Sequence, residues 1–239
     1  MKSARALCVA VHPSCYFTEN GESLALGRGL WFSRPTATFS RHALDERTCG
    51  TVTEAILVDS LGSKIIFGVR LRYEMDLLID VESHVVRRER SQLFEPDAIA
   101  VSGVDPWVAE IPVDQRRPAD ALRNVAQSFF DGIVVPSLNP SSAPNCDLRQ
   151  NGASVGSAKP SCRVGAGAER FEQVRFPVVD VTRGLVGAEG KGRGYIVQIL
   201  SNREGLTRIP SIRDRAQMLH GCSPSLALRA RHRWRHDLS

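Results

Sequence analysis

The six cysteines, Cys8, Cys15, Cys49, Cys146, Cys162 and Cys222, include no Cys-x-x-Cys pair, and no histidine stands at zinc spacing from them. That argues against a structural zinc site, and such scattered positions supply no disulfide framework. Long apolar runs are missing too. The one near the N-terminus spans only Ala6 to Val11 before His12-Pro13, which is too short for the apolar region of a secretory signal. No later stretch reaches the length needed to span a bilayer. The expectation is a cytoplasmic protein without a membrane segment. Lysine is scarce, with four of the 31 basic residues, a bias attributable to the base composition of the gene. The Gly187–Gly194 stretch lacks the G-x-x-x-x-G-K-[ST] order, because Lys191 is followed by Gly192, so it is not a phosphate loop. His232 and His236 stand four apart but have no acidic third ligand nearby, and Arg231, Arg233 and Arg235 surround them. No metal is expected there, and there is no internal repeat.

What is present is a chain of 239 residues, enough for one large domain, or for one domain and an appendage. Its net charge of +5 is unevenly spread. Residues 1–139 carry 15 basic and 18 acidic side chains, and residues 140–239 carry 16 and 8. The basic character therefore belongs to the C-terminal part, which could touch nucleic acid or an acidic partner or simply be solvated. Composition changes at the same place, since Pro140–Pro144 and Asn151–Ser161 are rich in Ser, Gly, Ala and Pro, as linkers are.

Taken in order, Ala6–Val11 reads as a first strand ended by His12-Pro13. Leu24–Ser33 reads as a strand whose glycines, Gly27 and Gly29, flank Arg28. Glycines so placed often mark close approach of the backbone to a ligand, and an arginine between them suits a phosphate. The alternative is an ordinary bulge with a solvated arginine. Thr36–Leu44 leads into a short helix. Thr51 and Glu54 fit a helix-capping box, so Glu54 has a purely structural reading as well. Lys64–Leu71 and Met75–Val81 are the clearest strands, and Ala98–Val101, Arg175–Val181 and Gly194–Leu200 are weaker candidates.

The stretch from Arg117 to Asn139 organises the rest. Leu122, Val125, Ala126 and Phe129 repeat at helical spacing after Pro118. Asp131-Gly132 reads as a turn, and Ile133-Val134-Val135 as a short buried strand stopped by Pro136. Ser137 is thereby placed at a strand end. Short strands interleaved with short helices, without regular βαβ spacing, indicate an α+β fold with a compact mixed sheet.

These landmarks resemble the RES domain, the toxin domain of a bacterial toxin–antitoxin family named for an arginine, a glutamate and a serine in that order. The phrase Phe130-Asp131-Gly132-Ile133-Val134-Val135-Pro136-Ser137 carries the resemblance, with Gly27-Arg28-Gly29-Leu30-Trp31, Phe39-Ser40 and Thr53-Glu54 upstream. It covers roughly residues 6–148 and implies a RES-like domain over residues 1–148. Residues 149–239 would then be a Gly/Ser/Arg-rich basic extension and a candidate for disorder. It also implies an ADP-ribosyltransferase-like fold and an enzyme that consumes NAD by cleaving the nicotinamide–ribose bond, without a metal. Glu54 and Ser137 would be catalytic, and Arg28, Trp31 and Phe39, or else Tyr16, would bind the NAD substrate. An antitoxin protein would be the cognate partner. Two alternatives stand beside this reading. One is an ADP-ribosyltransferase on the same fold, although His84 falls where such an enzyme would have its glutamate. The other is a non-catalytic, decayed RES-like protein whose basic tail binds nucleic acid.

Overall fold

The computed structural model describes residues 10–89, 93–101, 109–134, 149–154, 172–191 and 196–201. Its centre is a six-stranded sheet built from β1 (Val11–Glu19), β2 (Glu22–Ser23), β3 (Thr36–Asp45), β4 (Gly50–Val58), β5 (Lys64–Glu74) and β6 (Leu77–Val86). The strand order is β2-β1-β6-β5-β4-β3; β1 runs parallel to β6 and every other pair is antiparallel. A one-turn helix, α1 (Leu30–Ser33), lies between β2 and β3, and α2 (Pro96–Val101) follows β6. Then come α3 (Ala119–Val134), a small hairpin of β7 (Arg149–Gln150) and β8 (Ala153–Ser154), and a second antiparallel sheet. That sheet contains β9 (Glu172–Asp180), β10 (Leu185–Lys191) and β11 (Ile196–Ser201) in the order β11-β10-β9. This is a mixed-sheet α+β fold.

The hairpins have local causes. Met75 and Asp76 both take positive φ, 45° and 64°, the two-residue geometry whose twist matches its flanking strands. After β3, the Asp45 carboxylate accepts the N–H groups of Arg47 and Thr48 and so closes the turn into β4. In the β4–β5 turn, the N–H groups of Leu61 and Ser63 donate to Asp59. The Ser63 bond is the largest of the effects that hold the Asp59 carboxyl below its usual range.

Side chains alternate across the sheet. One face is a continuous apolar cluster of Phe17, Ala55, Leu57, Ile65, Phe67, Val69, Leu78 and Val81, closed by Leu30 of α1. The other face is divided. At one end Ile56 and Ile66 meet Phe94 and Ile99 beside α2, with Phe39 and Val86 packed against them. At the other, Ala43 and Val52 meet Val178 and Leu185 of β9 and β10. Gly187 permits that approach, because a Cβ there would stand 2.7 Å from Val52 Cγ2. The alternate residues of β9 and β10, Val179 and Val186, pack instead against Ala119, Leu122 and Ala126 of α3. The second sheet is therefore held between the first sheet and the helix.

Two buried aspartates fasten β3 to β9. Val179 N–H donates to Asp45, and Leu44 N–H donates to Asp180. Asp180 also accepts from Arg183 N–H and from its guanidinium. Each carboxylate thus satisfies backbone donors across a seam where unmet polar groups would be costly.

Several elements differ from the sequence expectation. β1 starts at Val11 and runs through His12-Pro13 instead of ending there; residues 1–9 lie outside the described set. Leu24–Ser33 is a loop and α1, not a strand. Thr36–Leu44 is strand β3 in its full length. The element at Thr51 is strand β4 and not a capped helix, because β-branched and apolar residues paired on both sides outweigh a local capping pattern. Met75 belongs to a turn, and Ala98–Val101 to a helix. α3 continues through Asp131-Gly132 to Val134, so Ile133 and Val134 are helical. The region after residue 148 contains strands that share a core with β3 and β4, while residues 202–239 lie outside the described set. Cys49 is disulfide-bonded, whereas Cys15 keeps a free thiol.

Candidate functional site

The Gly27-Arg28-Gly29 segment shows what its glycines are for. Gly27 and Gly29 have φ of 84° and 63°, the left-handed region that glycine enters freely. The group closest to Gly29 is the chain's own Glu19, whose Oε1 would stand 2.5 Å from a Cβ at that position. Glu19 accepts the Leu30 N–H at 2.9 Å. An internal carboxylate therefore fills the space beside Gly29 that was expected to admit a ligand. Arg28 itself is exposed.

Trp31 sits on the apolar face. Its ring meets Phe17 and Phe67 edge to face at 6.4 Å from each, and 46% of it stays exposed. Glu54 projects from the opposite face, because its neighbour Ala55 belongs to the apolar cluster. There its carboxylate is held by Arg41, with contacts of 2.6 Å to Nε and 2.5 Å to Nη2. Phe39 shares that face and packs beside Ile56. Tyr16 is exposed on β1. Ser137 lies outside the described residues. Of the five candidate residues, then, Glu54 and Phe39 are brought to one face, while Trp31 and Arg28 lie elsewhere.

Sequence reading missed the larger assembly around Glu54. Strand register places Arg41, Glu54, Gly68 and His84 in one row across four strands. The adjoining row sets Arg70 opposite Glu82. Arg70 donates to Glu82 at 2.6 Å and also to Asp80, and Arg175 from β9 reaches Glu82 at 2.5 Å. Burial is the largest influence on Arg70 and by itself would lower its pKa; its bonds and charges with Glu82 and Asp80 outweigh that, and the pKa lies above the ordinary value. His84, 6% exposed, is lowered to about 4, first by burial and then by Arg175, with Glu82 opposing. It is neutral near pH 7. Three arginines and three carboxylates thus balance on one face. The row resembles a set of internal struts more than a reactive centre, since no carboxylate in it stands without an arginine.

Among the described residues, no group of three or more His, Cys, Asp or Glu side chains could hold a metal ion, and no helix is long and apolar enough to cross a membrane. A family described as "Domain of unknown function (DUF8021)" matches residues 115–194. The matched stretch takes in α3, the β7–β8 hairpin, β9 and β10. No curated protein and no solved structure matches the chain.

Proposed function

We propose that this chain is a non-catalytic α+β protein that contacts a polyanion, nucleic acid in the first instance, through basic groups outside its sheet. The observation that supports this is where positive charge is left unbalanced. Arg41, Arg70, Arg175 and Arg183 are each matched by a carboxylate within the fold. The excess lies in residues 140–239, with 16 basic against 8 acidic side chains. Neutralising phosphates with such groups releases counterions, which gives binding that weakens steeply with salt. The test is retention of the full chain on a nucleic-acid matrix, beside a variant with Arg229, Arg231, Arg233 and Arg235 changed to Gln. Salt-sensitive retention that the variant loses is expected. Equal retention of both would remove the tail from the proposal.

A second reading keeps the NAD-cleaving enzyme of RES type, with its ADP-ribosyltransferase-like fold and antitoxin partner. What favours it is that the Glu54 carboxylate keeps 24% exposure on the face it shares with Phe39. Glu54 could there stabilise an oxocarbenium-like ribosyl cation, with Ser137 as a hydrogen-bonding group. Against it, an NAD molecule touching both Trp31 and Glu54 would have to pass through the sheet. NAD consumption by the full chain that Glu54→Gln abolishes would restore this reading, and label transfer to a macromolecule would identify the transferase form.

A further inference from the structure

We infer that the segment from Leu26 to Arg34 is a preformed platform for single-stranded nucleic acid, an inference that rests on the polyanion reading and gives it a surface. The segment exposes three large apolar side chains within seven residues, Leu26 at 47%, Trp31 at 46% and Phe32 at 75%. Scattered apolar residues on a surface are ordinary, but a cluster rimmed by charge marks an interaction site. The rim here is Arg28 and Arg34, both exposed. Among the described residues neither is held by a carboxylate, in contrast to the arginines of the charged face.

The loop is held in shape by its own bonds. Leu24 N–H donates to Phe17 O, Arg28 N–H to Ala25 O and Phe32 N–H to Gly29 O. Ser33 Oγ donates to Leu30 O, and Leu30 is buried at 5% and pinned by Glu19. Arg34 takes φ of 48°, a conformation of the kind that costs a non-glycine residue energy. Phe32 is therefore presented outward from a rigid turn, and Trp31 is steadied edge-on by Phe17 and Phe67. Exposed aromatic rings stack on unpaired bases whatever their sequence, while arginine forks pair with the phosphates between them. Duplex DNA hides its base faces, so single strands are the class this surface fits.

The experiment is anisotropy titration of labelled single-stranded and duplex oligonucleotides with the full chain and with Phe32→Ser and Arg34→Asn. Both positions are exposed, and asparagine tolerates the Arg34 backbone; unchanged circular dichroism and Tm confirm folding. Phe32→Ser should weaken single-strand binding about tenfold or more with the salt slope unchanged, because stacking releases no counterion. Arg34→Asn should reduce that slope by about one phosphate contact. Parent-like binding by both variants, with loss only in the variant neutralised at the C-terminal arginines, would overturn this inference and leave the polyanion reading standing. Binding of the parent to anionic lipid vesicles and to no oligonucleotide would overturn both.

Discussion

The two faces of the six-stranded sheet are made from the same strands yet held by different physics. The apolar face is one cluster from Phe17 to Val81, stabilised by surface removed from water and by close packing. The opposite face interrupts its apolar ends with Arg41, Glu54, Arg70, Asp80, Glu82 and His84. Burying the arginines and carboxylates is tolerable only because each is paired, while His84 is buried in its neutral form. The difference teaches where function is to be sought. A face whose arginines and carboxylates are matched has little left to offer a ligand, and among the described residues the exposed Arg28 and Arg34 lie off the sheet.

The comparison can be broken first at Arg70. Arg70→Met leaves the Asp80 and Glu82 carboxylates without that partner and should cost about 3–5 kcal/mol, read as a lowered urea midpoint. A cost close to zero would mean that the charged face is not structural. On the apolar face Ile65→Ala should cost about 3 kcal/mol with no dependence on salt or pH.

His84 sharpens the contrast through pH. Its folded pKa of about 4 lies below the ordinary 6.5, so the unfolded chain takes up a proton first as pH falls. Stability is complete above pH 6.5 and declines toward pH 4, by about 3 kcal/mol in all from this group. In His84→Gln the decline over that window should be visibly shallower; an identical curve would mean that the histidine is not the group titrating.

Gly187→Ala, which sets a methyl against Val52, should cost about 1–3 kcal/mol by overpacking the seam between the sheets. The smallest effect is expected for Glu54→Gln. It keeps the shape, loses only the charge assistance of the bond to Arg41, and should cost about 1 kcal/mol. A large loss of an enzymatic activity with unchanged stability would instead make Glu54 a catalytic residue.

Parts of this design were legible in the sequence. Strands β5 and β6 announce themselves as apolar runs, and Leu122 and Ala126 do bury one side of α3, although Val125 is 39% exposed. Local patterns misled where tertiary pairing decides. Thr51 and Glu54 imitate a helix cap inside a strand, and Gly29, expected to open space for a ligand, accommodates Glu19. The charged face was hidden because register brings together residues far apart in the chain. Arg41 and Glu54 are 13 residues apart, Arg70 and Glu82 are 12, and Glu82 and Arg175 are 93. The available cue was a charged residue breaking an apolar strand, as Glu54 and Arg70 do, which no short motif expresses.

The most direct measurement is a salt series of single-strand oligonucleotide binding by the full chain, with NAD monitored in the same samples. Binding at low salt that weakens linearly on a log–log scale, with NAD untouched, is expected. Consumption of NAD by a chain that binds no oligonucleotide would contradict it.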